Sequence, residues 1–418
     1  MIGSLSSSPF RASMASAMTQ PAVPPVLILL LVLASVLYQA GLCLVNTLLF
    51  PINQTLVMLV EGGIYGLIVL LVYRRIPAPM AGLMLLVLVN LFLLTLLRGN
   101  MDAKSVRDLL IILLFFWFGL SYGTPDLIDR LLKVVLIIAV VQGMFEWLAL
   151  DWYIKLFHTF SYFMNQSGIG SNGGAIFSGQ ALTLNGFRPD GIGRTILPWL
   201  FGSHRISSIF LEPISLGNFS VIVLIWALCR GGSVRTSLCF AAGVMMLVAM
   251  ADSRFALMMS LLVIFSRMLP LRWLASYAFL PWCAIAALVF YSNLVGNADL
   301  GDSFMGRLLT SGRVLSNFGL RDFFGAPAYM LNFGDMGYAY MLTRFGLIFA
   351  LIAWTMLWLV PMATPGAIRF RALASLYISM ILCISGSSLF ALKSAGVLWF
   401  IMGTLAAVSP AKEETPAT

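Results

Sequence analysis

The chain has 418 residues, 60% of them hydrophobic and only 10% charged, against roughly 25% charged in soluble chains. With a mean hydropathy of +0.97, this excludes an ordinary soluble globular protein and implies an integral membrane protein with many spans. The net charge of +9 sits at the ends of apolar runs, which is the positive-inside pattern of membrane helices and not a nucleic-acid-binding surface.

Residues 1–25 are rich in Ser, Ala and Pro with a single Arg11. A signal peptide would have its apolar region close behind a basic start, followed by a cleavable small-residue site. The first apolar run, 26–45, is long enough to stay as a span. Further runs near the ~20-residue length of a spanning helix lie at 55–73, 80–97, 106–122, 131–150, 213–229, 236–251, 255–270, 273–292, 337–360, 367–385 and 388–408. Unbroken stretches such as 132-LKVVLIIAVVQGMFEWLAL-150 exclude the alternating strands of a barrel. The predicted fold is therefore an all-α polytopic membrane protein of about twelve helices. A single transmembrane domain is expected over 26–408, between mobile cytoplasmic tails at 1–25 and 409–418.

Lys and Arg fall at every second connection: Arg11, Arg74 and Arg75, Arg130 and Lys133, Arg230 and Arg235, Arg267 and Arg272, Arg369 and Arg371, and Lys412. That side is predicted to be cytoplasmic, with both termini on it. The opposite side carries two long connections, 151–212 and 293–336. Long loops are uncommon and often functional. The first contains 168-GIGSNGGAIFSG-179, which reads as an irregular lid.

The outward side is unexpectedly rich in arginine: Arg188, Arg194, Arg205, Arg254, Arg307, Arg313, Arg321 and Arg344. Long translocated loops escape the charge rule, which accounts for Arg188, Arg194, Arg307 and Arg321 as readily as function does. Arg205, Arg254 and Arg344 stand at or within apolar segments, where a lone cation costs roughly 2.5–3.5 kcal/mol. They need an anion, either Glu212, Asp252 or Asp335, or a phosphate, which guanidinium binds in a planar, bidentate fashion. Such a cluster at headgroup level suits a lipid-linked diphosphate. Arg205 precedes Gly217 by twelve positions, and Arg313 precedes Gly325 by twelve as well.

The stretches 205-RISSIFLEPISLG-217, 252-DSRFALMM-259, 313-RVLSNFGLRDFFGAP-327 and 334-GDMGYAYMLTRFGL-347 resemble Wzy-type polysaccharide polymerases. The wider group includes the O-antigen ligases and has the C-type glycosyltransferase architecture. The resemblance implies glycan transfer from an undecaprenyl-diphosphate-linked oligosaccharide to a sugar hydroxyl, at the periplasmic face of a bacterial inner membrane. It also implies a membrane-lipid environment, a flippase and a chain-length regulator as partners, and no nucleic acid. Ligases of the group use a histidine in the second outward loop. Residues 293–336 contain none, and His158 and His204 are the two in the chain, which favours a polymerase.

A diphosphate leaving group needs its growing charge held more than it needs a proton. Arg205, Arg254 and Arg313 are the candidates for that role, followed by Arg344 and Lys393, with Arg307 and Arg321 as further substrate contacts. The acceptor hydroxyl needs a base, for which Glu212, Asp335 and His204 are candidates. Glu212 comes first because Pro213 restrains it and opens the following helix, leaving the carboxylate at the outer mouth of the span. The competing reading is a salt bridge from Glu212 to Arg205 or Arg254, and from Asp335 to Arg344. Tyr338 and Tyr340 fit an interfacial aromatic belt or a sugar-stacking surface. Glu61 and Glu146 are expected to cap or pair with neighbouring helices. The five cysteines lie in or at the ends of apolar spans and read as small apolar side chains. There is no metal-ligand spacing, Asp-x-Asp motif or P-loop, so no metal or cofactor is expected. The rival class is a carrier or flippase, which would place its ionisable residues near mid-membrane in two similar halves.

Overall fold

The computed structural model describes residues 23–167, 182, 186, 194–296, 298, 300–301, 303–327 and 333–407. Among these residues the chain is helical, with no strand. The helices are α1 (Pro25–Leu48), α2 (Gln54–Val72), α3 (Ala78–Arg98), α4 (Ala103–Tyr122), α5 (Pro125–Leu148), α6 (Leu150–Leu156) and α7 (Thr159–Gln166). After the first long connection come α8 (Pro213–Cys229), α9 (Val234–Ala251), α10 (Arg254–Met268), α11 (Leu280–Val295) and α12 (Phe304–Ser316). The chain closes with α13 (Gly337–Phe345), α14 (Leu347–Leu359), α15 (Pro365–Ile381) and α16 (Leu392–Ala407). Most of the expected tails, and the glycine-rich 168–179 with Arg188, lie outside the described residues.

Local chemistry sets the helix starts. Proline stands in the first turn of α1, α5, α8 and α15, where its missing N–H is no loss. Side chains of Asn53, Thr124, Ser253, Ser303 and Thr364 accept a first-turn N–H.

Every predicted apolar run contains a helix, but the lengths differ from a simple set of spans. Among the described residues, six helical segments are long and apolar enough to cross a membrane: Pro25–Leu48, Gln54–Arg75, Ala78–Arg98, Pro125–Leu148, Val234–Ala251 and Leu271–Val295. The run expected as one span at 337–360 is broken: α13 and α14 meet at Gly346 (φ +79°) with a bend of 107°. α8 and α16 are shorter, at 17 and 16 residues. They are apolar all round and almost wholly buried, so they form the centre of the bundle. α3 instead turns Leu85, Leu88, Phe92 and Leu96 outward.

α4 and α16 run parallel along a seam of small residues. A Cβ at Gly119 would stand 2.1 Å from the Phe400 carbonyl oxygen, and one at Gly403 would stand 1.9 Å from that of Phe116. Close backbone approach through glycine is how helices associate where lipid removes the hydrophobic drive.

The basic connections gather at one end of the bundle. Arg75 packs over the Tyr122 ring at the end of α4, 4.4 Å from its centroid. Arg230 and Trp226 at the end of α8 hold Asp129 near the start of α5. Arg267 donates to the Leu228 carbonyl and Arg369 to the Arg267 carbonyl. At the other end lie the starts of α8, α10 and α16 and the ends of α3 and α9.

Replacing Gly403 by leucine must part α4 from α16. Overpacking of this kind costs about 1–3 kcal/mol, so the variant should unfold several degrees lower in detergent. A Leu85→Ala control on the outward face of α3 should leave the transition in place.

Candidate functional site

The site is built on a strained turn. Ser208 and Leu211 both have positive φ, +51° and +58°, which costs energy for residues with side chains. Glu146 of α5 holds the turn. Its buried carboxylate accepts from Ser207 N at 3.0 Å, Ser208 N at 2.6 Å and the Ser207 hydroxyl at 3.1 Å. The His204 ring lies between Glu146 Oε1 (2.9 Å, from Nε2) and the Gly186 carbonyl (3.1 Å, from Nδ1). His204, a candidate substrate contact and base, is thus buried inside the scaffold of this turn.

Beyond the turn, Glu212 takes the N-cap position of α8, as Pro213 dictates. The salt bridge considered from sequence, to Arg205 or Arg254, is not the one formed. Its partner is Lys393 at the start of α16, 3.5 Å from Oε2. The Ser215 hydroxyl donates to the same Oε2 at 2.8 Å. Oε1 has no protein partner among the described residues, and the Glu212 side chain is 37% exposed. Lys393 is only 3% exposed and donates to Gln39 Oε1 (2.9 Å) and the Phe210 carbonyl (2.7 Å). Its ammonium is therefore enclosed by protein acceptors and does not present itself as the phosphate contact expected from sequence.

Next to α8 lies the turn between α9 and α10. A Cβ at Gly217 would stand 2.7 Å from Ser253 Oγ, so glycine is what lets the two helix starts meet. Asp252 (φ +46°) accepts from the N–H groups of Thr195 and Ile196 at 2.9 and 2.8 Å, clipping the loop to the turn. Arg205 is buried and donates from Nε to the Ala251 carbonyl at 3.2 Å. Arg254, the first residue of α10, is exposed and donates from Nε to Thr195 Oγ1 at 2.7 Å. Its terminal nitrogens have no partner among the described residues. Arg194 is a structural staple: it binds the carbonyls of Ile196, His204, Ala249 and Met250 and packs 4.5 Å over the Phe201 ring.

The other arginines do not join this group. Arg313 caps the end of α11 through the carbonyls of Gly296 and Ala298. Arg307 reaches Asp335 at 3.6 Å, where Arg344 was expected. Arg321 is exposed on the short turn Leu320–Phe323. Arg344 pairs with Asp102, in the turn before α4, and lies 4.6 Å over the Tyr340 ring. Tyr340 donates to Asp108 at 2.5 Å, and Lys104 sits 5.1 Å over its ring. Tyr338 is buried and donates to the Ser379 carbonyl at 3.0 Å.

Arg98 is a functional-looking residue that sequence reasoning passes over. At the end of α3 it reads as a terminal charge. In the fold it donates to the carbonyls of Gly325, Thr343 and Arg344 at 2.7–2.8 Å, closing the open end of α13. Asn90 does the same for Phe345 at 3.1 Å. Gly325 (φ +76°) packs directly on Gly346.

An apolar cavity of ≈190 Å³ lies between α3, α4, α11 and the α13–α16 segment, lined by Val87, Leu109, Tyr338, Phe345, Trp354 and Phe390 among others. Phe390 precedes Lys393 by three residues. Among the described residues no group of His, Cys, Asp and Glu is arranged to hold a metal ion. The chain matches no family model, and comparison with curated proteins and solved structures found no match.

Burial alone would raise the Asp102 carboxyl, but the Ser105 hydroxyl, the Arg344 guanidinium and the Lys104 N–H hold it below its ordinary value. A carboxyl held low stabilises the fold above its unfolded pKa of about 4. That contribution is lost as pH falls through the folded value. Thermal unfolding from neutral pH downward should show Asp102→Asn less stable than wild type at pH 7, with the difference shrinking in acid below about pH 4.

Proposed function

We propose that this protein is a polysaccharide polymerase of C-type glycosyltransferase architecture, with about twelve membrane segments and both termini cytoplasmic. It acts at the periplasmic face of a bacterial inner membrane on undecaprenyl-diphosphate-linked oligosaccharide. The observation that carries the reading is the asymmetric carboxylate of Glu212 at the mouth of α8: Oε2 is held by Lys393 and Ser215, while Oε1 has no partner among the described residues.

In this reading Oε1 takes the proton from the acceptor hydroxyl. The hydroxyl oxygen forms its bond to C1 of the donor sugar as the bond from C1 to the diphosphate oxygen breaks. The electron pair leaves with the diphosphate. Arg254 offers its terminal nitrogens to that charge, and Arg205 adds a cation behind it. The starts of α8, α10 and α16 converge on the same region, and helix N-termini favour anions. The apolar cavity beside Phe390 has the lining that a polyprenyl chain requires. A carrier is disfavoured because Glu212, Lys393 and Arg254 gather at one end of the bundle instead of near mid-membrane.

Purified protein given synthetic lipid-linked repeat units should lengthen the glycan with no ion gradient. Glu212→Gln should slow chain growth by about 10²–10⁴, and Arg254→Ala by about 10²–10³, each with normal insertion and folding. Movement of the substrate across a bilayer without elongation would replace this reading with transport.

A further inference from the structure

A second layer of polar side chains lies behind Lys393, on helices that the chemistry above does not use. Lys393 Nζ donates to Gln39 Oε1 at 2.9 Å. Gln39 Nε2 donates to Tyr38 Oη at 3.1 Å. Tyr38 Oη donates to Glu61 Oε1 at 2.6 Å. Every donor in the chain points the same way, from the ammonium on α16 through α1 to a carboxylate on α2. Glu61 is 5% exposed, and Tyr38 is 8%. A carboxylate in the interior of a 19-residue apolar helix is expensive and is kept for a reason.

The geometry suggests the reason. Lysine carries a compact charge on a flexible stem. Left to the nearest carboxylate alone, its ammonium would straddle both oxygens of Glu212. Here Gln39 and the Phe210 carbonyl draw it inward, so that it meets Oε2 and leaves Oε1 uncovered. Gln39 holds that position because Tyr38 fixes the other end of its amide, and Tyr38 is fixed by Glu61.

We propose that Glu61 is a positioning residue for Glu212: through Tyr38 and Gln39 it anchors Lys393 on one oxygen of the Glu212 carboxylate and keeps the other free for the acceptor's proton. This rests on Glu212 as proton acceptor, but the anchoring can be measured without any glycan transfer.

The full chain in lipid nanodiscs is treated with a membrane-permeant imidoester, and each lysine is quantified by peptide mass spectrometry. In wild type Lys393 should be protected. Glu61→Ala should raise its labelling at least several-fold, with Lys104, Lys133 and Lys155 unchanged. Glu61→Gln keeps an acceptor for the Tyr38 hydroxyl and should restore most of the protection. Tyr38→Phe, the gentler variant should Glu61→Ala fail to fold, should also release Lys393. In chain growth, Glu61→Ala should lower kcat about 10- to 100-fold with KM unchanged, and Glu61→Gln should recover it. Unchanged Lys393 labelling in folded Glu61→Ala or Tyr38→Phe overturns the proposal. So does a fall in kcat that Glu61→Gln does not rescue. If the labelling follows the expectation while wild-type protein elongates no glycan, the anchoring stands and the polymerase reading falls.

Discussion

A buried ammonium must be surrounded by acceptors, and that requirement at Lys393 organises one end of this bundle. Removing one partner from such a group costs about 3–5 kcal/mol. Its acceptors come from α1, from the turn before α8, and from Glu212 at the α8 start. The turn carrying Phe210 is strained, and Glu146 helps it keep its shape by accepting from its N–H groups. Two buried carboxylates and one buried cation therefore fix a third carboxylate in a half-open position.

The same rule governs the neighbouring region. Breaking a membrane helix at a right angle exposes backbone carbonyls that lipid cannot satisfy. Arg98 and Asn90 supply the donors from α3, and the paired glycines 325 and 346 allow the contact. The Asp102–Arg344 pair and the Tyr340–Asp108 bond tie the broken helix to α4. The charge-rich start of α4, from Asp102 to Asp108, thus serves to hold an irregular piece of chain in place.

Much of the architecture was legible because apolar runs and prolines act locally. Pro213 placed Glu212 at a helix mouth, and the structure has it there. Glu146 and Glu61 could be read as carboxylates that need neighbours, but not which ones, since His204, Ser207 and Tyr38 reach them only through the fold. The arginine cluster was legible in part. Arg205 and Arg254 share the turn between α9 and α10, whereas Arg313 is spent on carbonyls and Arg344 on Asp102. Sequence shows that a cation needs a partner, and spacing alone does not say whether a backbone oxygen will serve. The break at Gly346 escaped for a related reason. Its flanks are apolar, and the compensating Arg98 lies far away in the chain.

The glycine seam between α4 and α16 bears on assembly. α4 is synthesised long before α16, so its small-residue face lacks its helix partner until the later helix is made. The helix that brings Lys393 is also the plug that closes the middle of the molecule. Biogenesis therefore finishes the scaffold and the Glu212–Lys393 pair in one event, and a chain interrupted before residue 392 lacks both.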